Sequence, residues 1–106
     1  MIPEKTIEEL ITRHSSLEKD LASGNVDKKS FAEKSKEYSD LNEIVYSAKK
    51  YASYKSDKIE LEKILNDKNS DEELMKMAHT ELSELNSQFE KNEKKLKLFL
   101  LPKQTV

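Results

Sequence analysis

Residues 71–100 read DEELMKMAHTELSELNSQFEKNEKKLKLFL, and their apolar side chains recur at alternating spacings of three and four. This spacing places them on one stripe of an α-helix, in the heptad pattern that pairs one helix with another. The stripe consists of Met75, Ala78, Leu82, Leu85, Phe89, Asn92, Leu96 and Phe99. A single polar residue in such a stripe, here Asn92, typically fixes the register of the pair. The segment therefore predicts a long helix that needs a helical partner.

Both ends of this helix carry sequence signals. Ser70, followed three residues later by Glu73, has the pattern of a capping box, which satisfies backbone N–H groups of the first turn. Pro102 disfavours helical geometry in the residue before it. We therefore predict a helix over residues 71–100.

The partner helix is predicted over residues 28–66, a stretch without glycine or proline. Its apolar or small residues recur mostly three and four apart, followed by a change of phase at Leu61: Phe31, Tyr38, Leu41, Val45, Ala48, Ala52 and Ile59. The short link Asp67–Asn69 forces the two long helices to run antiparallel, so the numbers of facing residues should sum to about 137. On this register Phe89 faces Ala48, and Leu85 faces Ala52.

A shorter helix precedes the pair. Ile7, Leu10, Ile11, Leu17 and Leu21 have helical spacing and predict a helix over residues 4–22. Gly24, the one glycine of the chain, supplies the left-handed conformation that ends it, and Asp27 caps the next helix. Because this helix is about half as long as the others, it should cover only residues 28–46 and 91–101.

The predicted fold class is therefore all-α, with three helices in a single domain over residues 1–106. The two long helices form an antiparallel, coiled-coil-like hairpin, and the shorter helix packs at its base.

Composition argues against an enzyme. With no cysteine and one glycine, the chain can form neither a thiolate metal site nor a glycine-rich phosphate loop. His14 and His79 lie on different helices without metal-ligand spacing, and acidic clusters such as Asp71–Glu73 sit at helix starts, where the helix dipole explains them. We expect no catalytic residue, no cofactor and no metal.

Charge and hydropathy restrict the partners. The formal net charge is −2, and Arg13 is the one arginine beside eighteen lysines, which disfavours a sequence-specific reader of DNA. No apolar run approaches the length of a membrane span, and the first residues lack the apolar core of a signal peptide. We expect a cytoplasmic protein with no membrane partner.

One segment departs from charge balance and is the candidate contact site for RNA. Residues 49–58 hold four lysines against one aspartate, with tyrosines between them, a composition suited to phosphate contact and base stacking. The candidate residues are Lys49, Lys50, Tyr51, Tyr54, Lys55 and Lys58. The alternative interpretation is a solvated helix face whose tyrosine rings lean on the stripe. A second lysine cluster consists of Lys91, Lys94, Lys95 and Lys97. The helix dipole explains it, because cations are favoured at a helix C-terminus, and contact with RNA is the alternative interpretation.

The order of several short motifs resembles the N-terminal domain of the bacterial peptide chain release factor 1 family. The motifs are Ser35–Leu41 (SKEYSDL), Leu65–Asp67, Glu73–Leu82 (ELMKMAHTEL) and Leu100–Lys103 (LLPK). Together they cover the chain from about Ile7 to Lys103.

This resemblance implies a non-catalytic docking module in stop-codon-dependent translation termination. The implied partners are the ribosome, at the large-subunit stalk base with protein L11 and its ribosomal RNA, and the GTPase that recycles release factors. The family's codon-reading tripeptide and Gly-Gly-Gln motif belong to later domains, and a chain with one glycine cannot contain the latter.

Two other functions fit the same periodicity. One is a stand-alone coiled-coil interaction protein or chaperone-like hairpin, and the other is a hairpin that binds transfer RNA, as in the arm of some synthetases.

Overall fold

In a computed structural model, which describes residues 1–102, the chain forms three α-helices and no strand within that range. The helices are α1 (Glu4–Ser23), α2 (Lys28–Asn66) and α3 (Glu72–Leu100). The predicted all-α class is confirmed, and each helix end lies within one residue of its predicted position. Lys103 of the LLPK motif lies outside the described residues. None of the three helices is long and apolar enough to cross a membrane.

The caps of α1 and α2 follow the sequence signals. Gly24 ends α1 with φ 72°, in the left-handed region where a side chain is strained. The Asp27 carboxylate accepts a hydrogen bond from the backbone N–H of Ser30 at 2.8 Å, and this bond lowers the pKa of Asp27. Each cap therefore arises from a local interaction that the sequence alone specifies.

The predicted capping box at Ser70 is wrong. Asp71 caps α3, with its carboxylate accepting from the backbone N–H of Leu74 at 2.7 Å. Ser70 instead donates its hydroxyl hydrogen bond to the Ile64 carbonyl oxygen at 2.7 Å and ties the link to the end of α2. A charged carboxylate is the better acceptor at the positive end of a helix dipole, so α3 begins one residue later than predicted.

The antiparallel pairing of α2 and α3 is confirmed, but the predicted register is wrong by three to six residues. Phe89 stacks on Tyr51 and Tyr54, and Tyr54 donates a hydrogen bond to Asn86, so paired numbers sum to 140 or 143. Two effects cause the shift. The non-helical link runs from 67 to 71, longer than predicted, and side chains on both helices lean towards their own N-termini.

The buried face of α2 also differs from the predicted stripe. Phe31, Ala52 and Ile59, all assigned to the stripe, are exposed. Ile44, Ser47 and Tyr51 are buried. Leu61 lies on the regular continuation of the corrected face, so the predicted change of phase is not needed. α2 runs without a break from Lys28 to Asn66, since this segment contains neither glycine nor proline.

Helix α1 packs at the base of the hairpin, as predicted, but its backbone approaches that of α2 alone. Arg13 bonds Glu37, and Lys34 bonds Asp20, whereas no Cα atom of α1 lies within 8 Å of one in α3. We expected α1 to lie against residues 91–101 of α3, and this expectation is wrong for the backbones of the two helices. α2 is the central element, with one neighbour on each side.

The molecule is elongated. Its principal extents are 60 × 36 × 20 Å, and its Cα radius of gyration is 18.5 Å, against about 13 Å for a compact domain of this size. The buried core lies at the base, where Ile7, Leu17 and Leu96 are the largest fully buried side chains. In the distal arm formed by residues 52–91, Ala78 is the one buried residue. The arm therefore presents most of its surface to solvent.

A matched pair of leucines on α3 tests this location of the core. Leu96 is 0% exposed, and Leu98 is 70% exposed. We expect Leu96→Ala to lower the free energy of unfolding by about 2–5 kcal/mol through lost burial and an unfilled cavity. Leu98→Ala should stay within about 0.5 kcal/mol. Urea unfolding followed by circular dichroism measures both, and equal losses would show that the core has been located wrongly.

Candidate functional site

The six candidate contact residues of α2 do not form one surface. Lys49, Lys50 and Lys55 are exposed, and Lys58 is half-buried. At about 100° per residue, Lys49 and Lys58 project from opposite sides of the helix. Lys55 borders a groove that Glu4 and Glu8 of α1 also line, whereas Lys50 lines a separate cleft between α2 and α3. The run of lysines in the sequence is therefore divided between faces.

Tyr51 is a packing residue. Its ring is 8% exposed and stacks on Phe89 with a centroid distance of 4.7 Å. Its hydroxyl accepts from the backbone N–H of Ile2 at 3.0 Å and donates to Glu93 at 3.1 Å. Burial raises the pKa of Tyr51, and the bond from its hydroxyl, followed by one from Lys97, lowers the pKa of Glu93. The side chain therefore joins the N-terminal residues, α2 and α3.

Tyr54 is also engaged within the fold. Its ring is half-buried and stacks on Phe89 at 4.0 Å, and its hydroxyl donates to the Asn86 side-chain oxygen at 2.6 Å. The Lys58 ammonium lies 5.8 Å from the centre of the Tyr54 ring, within cation–π range. Because both candidate tyrosines contact α3, their role as base-stacking groups remains a prediction that would require the pair to rearrange.

The exposed tyrosine of this region is Tyr46, which the sequence reasoning missed. Its side chain is 67% exposed, and the Lys50 ammonium lies 5.6 Å from its ring centre. Tyr46, Lys50, Gln88 and Asn92 line one cleft between α2 and α3. The available sequence signal was the spacing of four between Tyr46 and Lys50, which sets two residues on one face of a helix.

The histidines do not form a metal site in the part of the chain that the structure describes. His14 is 8% exposed, its Nε2 atom lies 2.5 Å from the Asn42 side-chain oxygen, and its ring stacks on Tyr38 at 4.8 Å. His79 is exposed on α3. No group of three or more His, Asp or Glu side chains within residues 1–102 could hold a metal ion. His14 thus packs α1 against α2.

Asn92, the polar member of the α3 stripe, is buried with 6% exposure. It borders the cleft that contains Tyr46 and lies in the same stripe as Leu96. The sequence prediction that Asn92 is buried in the helix pair is therefore confirmed.

The fold and this surface define an elongated all-α hairpin domain with lysines and an exposed aromatic ring beside the helix pair. The model of the PCRF domain family matches residues 10–106. The chain belongs to the PCRF domain family. This finding confirms the resemblance to the N-terminal domain of the peptide chain release factors.

Three curated relatives carry the name Peptide chain release factor 1. That of Pelagibacter ubique is 65% identical over 97% of this chain and 29% of its own length. That of Magnetococcus marinus is 34% identical over the same shares. That of Alkaliphilus oremlandii is 43% identical over 64% of this chain and 19% of its own length. The chain thus spans less than a third of these relatives. No solved structure matches it.

Removing the Tyr51 hydroxyl tests the hydrogen bonds that connect the N-terminal residues, α2 and α3. We expect Tyr51→Phe to lower the free energy of unfolding by about 1 kcal/mol at neutral pH, because it removes the hydroxyl that bonds both Ile2 and Glu93. Tyr46→Phe is the matched control, since the Tyr46 side chain is exposed, and it should leave stability unchanged. Urea unfolding of the two variants provides the comparison, and equal stabilities would contradict the assigned hydrogen bonds.

The same variant has a signature at alkaline pH. Because folding raises the pKa of Tyr51, the neutral phenol is favoured in the folded state. Its contribution is fully present below the unfolded pKa of about 10 and is lost as the pH rises through the folded value. The parent should therefore lose more stability above about pH 10 than Tyr51→Phe does. Urea unfolding across this pH range would contradict the account if the two curves fell in parallel.

Proposed function

We propose that this chain acts as the N-terminal domain of a peptide chain release factor, in stop-codon-dependent translation termination. The observation that carries the proposal is the family match over residues 10–106, together with 65% identity to a Peptide chain release factor 1. The fold supports it, because an elongated helical pair offers a long exposed surface for a large partner.

The proposed role is docking. The partner is the ribosome, at the stalk base of the large subunit, through protein L11 and the adjacent ribosomal RNA. A further proposed partner is the GTPase that recycles release factors. One end of the helical pair makes the contact, and the lysines of α2 attract the phosphates. Three of these lysines, Lys49, Lys50 and Lys55, have exposed side chains that can reach an approaching phosphate backbone.

The proposal assigns no reaction to this chain. Peptide release in the family depends on a Gly-Gly-Gln motif, which cannot be formed from the single Gly24. We therefore expect no hydrolysis of peptidyl-tRNA by this chain alone.

Charge reversal tests the docking role. We expect the variant with Lys49, Lys50, Lys55 and Lys58 all changed to Glu to bind ribosomes more weakly than the parent and with a shallower dependence on salt. The physical reason is that fewer phosphates are neutralised and fewer counterions released. Co-sedimentation with ribosomes over a range of salt concentrations measures both effects, and circular dichroism verifies that the helices remain.

A matched control separates these positions from overall charge. Changing Lys5, Lys19, Lys29 and Lys36 to Glu alters the net charge equally at exposed positions of α1 and early α2. This control should bind much better than the first variant.

Ribosomes that lack L11 should bind the parent poorly. Undiminished binding to those ribosomes would contradict the stalk-base contact, and absence of binding to any ribosome would contradict the docking role.

A further inference from the structure

A second set of residues, distributed over both long helices, places basic and aromatic side chains along the α2–α3 pair. Tyr46, Lys50 and Gln88 line one cleft between α2 and α3. Lys91 and Lys95 follow Gln88 by three and seven residues, so they continue the same face of α3 towards the base. Lys49 flanks Lys50. The composite surface, as we name it, therefore consists of Tyr46, Lys49, Lys50, Gln88, Lys91 and Lys95.

Positive charge is concentrated here in a chain of net charge −2. Residues 44–56 of α2 contain no acidic residue. No carboxylate of residues 1–102 lies within 4.0 Å of the ammonium groups of Lys49, Lys50, Lys91 or Lys95, whereas Lys97 is paired with Glu93. These four lysines can therefore pair with an external anion without first breaking an ion pair.

Acidic residues mark the limits of the composite surface. Further out on the arm, four carboxylates line the same cleft, those of Asp57, Glu60, Glu81 and Glu84, and at the base Glu43 borders a separate depression with Leu98 and Phe99. Glu90 precedes Lys91 and points about 100° away from it around α3. Between Glu43 and Glu84, the face is basic and amide-bearing. Repulsion at both ends favours a ligand that runs across the helix pair.

Tyr46 distinguishes this face from an ordinary solvated lysine cluster. Its ring is 67% exposed, and the ammonium of Lys50 lies 5.6 Å from the ring centre. Tyr51 and Tyr54 stack on Phe89 within the fold, whereas Tyr46 is available to an external aromatic group. An exposed ring among lysines is the arrangement by which proteins bind single-stranded nucleic acid, with bases stacked and phosphates neutralised.

From these observations we infer that the composite surface binds an unpaired stretch of RNA, with a base stacked on Tyr46 and phosphates on Lys49, Lys50, Lys91 and Lys95. The inference rests on the proposed function, because ribosomal RNA is the RNA that a docked domain would meet. It differs in the residues it uses: the α3 lysines and Tyr46 take part, and Lys55 and Lys58 do not. An acidic protein partner would use the lysines but would gain little from a stacking ring.

Two double charge reversals test which face carries the RNA. Lys91→Glu with Lys95→Glu alters the composite surface, and Lys55→Glu with Lys58→Glu makes the same change of charge on another side of the arm. The probe is a fluorescently labelled single-stranded RNA oligonucleotide, titrated by anisotropy over a range of salt concentrations. For the first variant we expect weaker binding and a logarithmic salt slope smaller by about 1.4, from two lost phosphate contacts. The second variant should retain a slope close to that of the parent.

Tyr46→Ala tests the stacking separately. We expect it to weaken RNA binding by at least about fivefold while leaving the salt slope unchanged, since no phosphate contact is lost. Phe31→Ala is the matched control, because Phe31 is also an exposed aromatic residue, and it should bind RNA as the parent does. Circular dichroism and thermal melts verify the fold of every variant.

Three outcomes would overturn the inference: no RNA binding by the parent, equal effects of the two double variants, or no effect of Tyr46→Ala. Binding of polyglutamate as tight as that of RNA would also overturn it and would indicate an acidic protein partner. A failure of the inference is distinguishable from a failure of the proposed function. In the first case the composite-surface variants bind ribosomes as the parent does, and in the second the parent does not bind ribosomes at all.

Discussion

The rest of the structure depends on α2, which packs against α1 on one side and against α3 on the other. No Cα atom of α1 lies within 8 Å of one in α3. Tyr51 of α2 connects the N-terminal residues to α3. Its hydroxyl accepts a hydrogen bond from the backbone N–H of Ile2 and donates one to Glu93, and its ring stacks on Phe89. A phenol suits this position, since one face of the side chain fills apolar space while the hydroxyl satisfies polar groups on both sides. The buried core extends from this residue towards the base, through Ala48, Leu41 and Leu96. Beyond it, the hairpin continues as a two-helix arm.

This division has a consequence for function. A three-helix arrangement about a common axis would cover much of both long helices, but packing α1 on one side of α2 leaves the opposite side of the α2–α3 pair open. Tyr46 and Lys50 lie at that open side, beside the cleft lined by Gln88 and Asn92. Tyr51 contacts Phe89 and Glu93 of α3 from the next turn of α2, so it lies close to the composite surface without forming part of it. Family membership gives this surface its proposed context on the ribosome.

The helices and their ends could be predicted from the sequence because their causes are local: Gly24 and Asp27 act within a few residues. Most of the α3 stripe was also predictable, since α3 has one main neighbour: Ala78, Asn92 and Leu96 are buried as expected, and Phe99 at the end of the stripe is exposed. The stripe of α2 was not. A helix with neighbours on two sides has a wide buried arc, so periodicity cannot separate Ala52, which is exposed, from Tyr51, which is buried. The candidate site does not form one face for two reasons. Tyr51 and Tyr54 turn inward onto Phe89, and Lys49 and Lys58 lie on opposite sides of the helix, which the helical repeat alone predicts.

Site-specific photocrosslinking to the ribosome tests the central claim most directly. A photoreactive phenylalanine analogue would replace Tyr46 in one variant and Phe31 in another, and each variant would be irradiated when bound to bacterial ribosomes. We predict crosslinks to ribosomal RNA from position 46 and none from position 31, because only the former lies on the composite surface. Crosslinks from position 31 with none from position 46, or crosslinks from position 46 to ribosomal proteins alone, would contradict it.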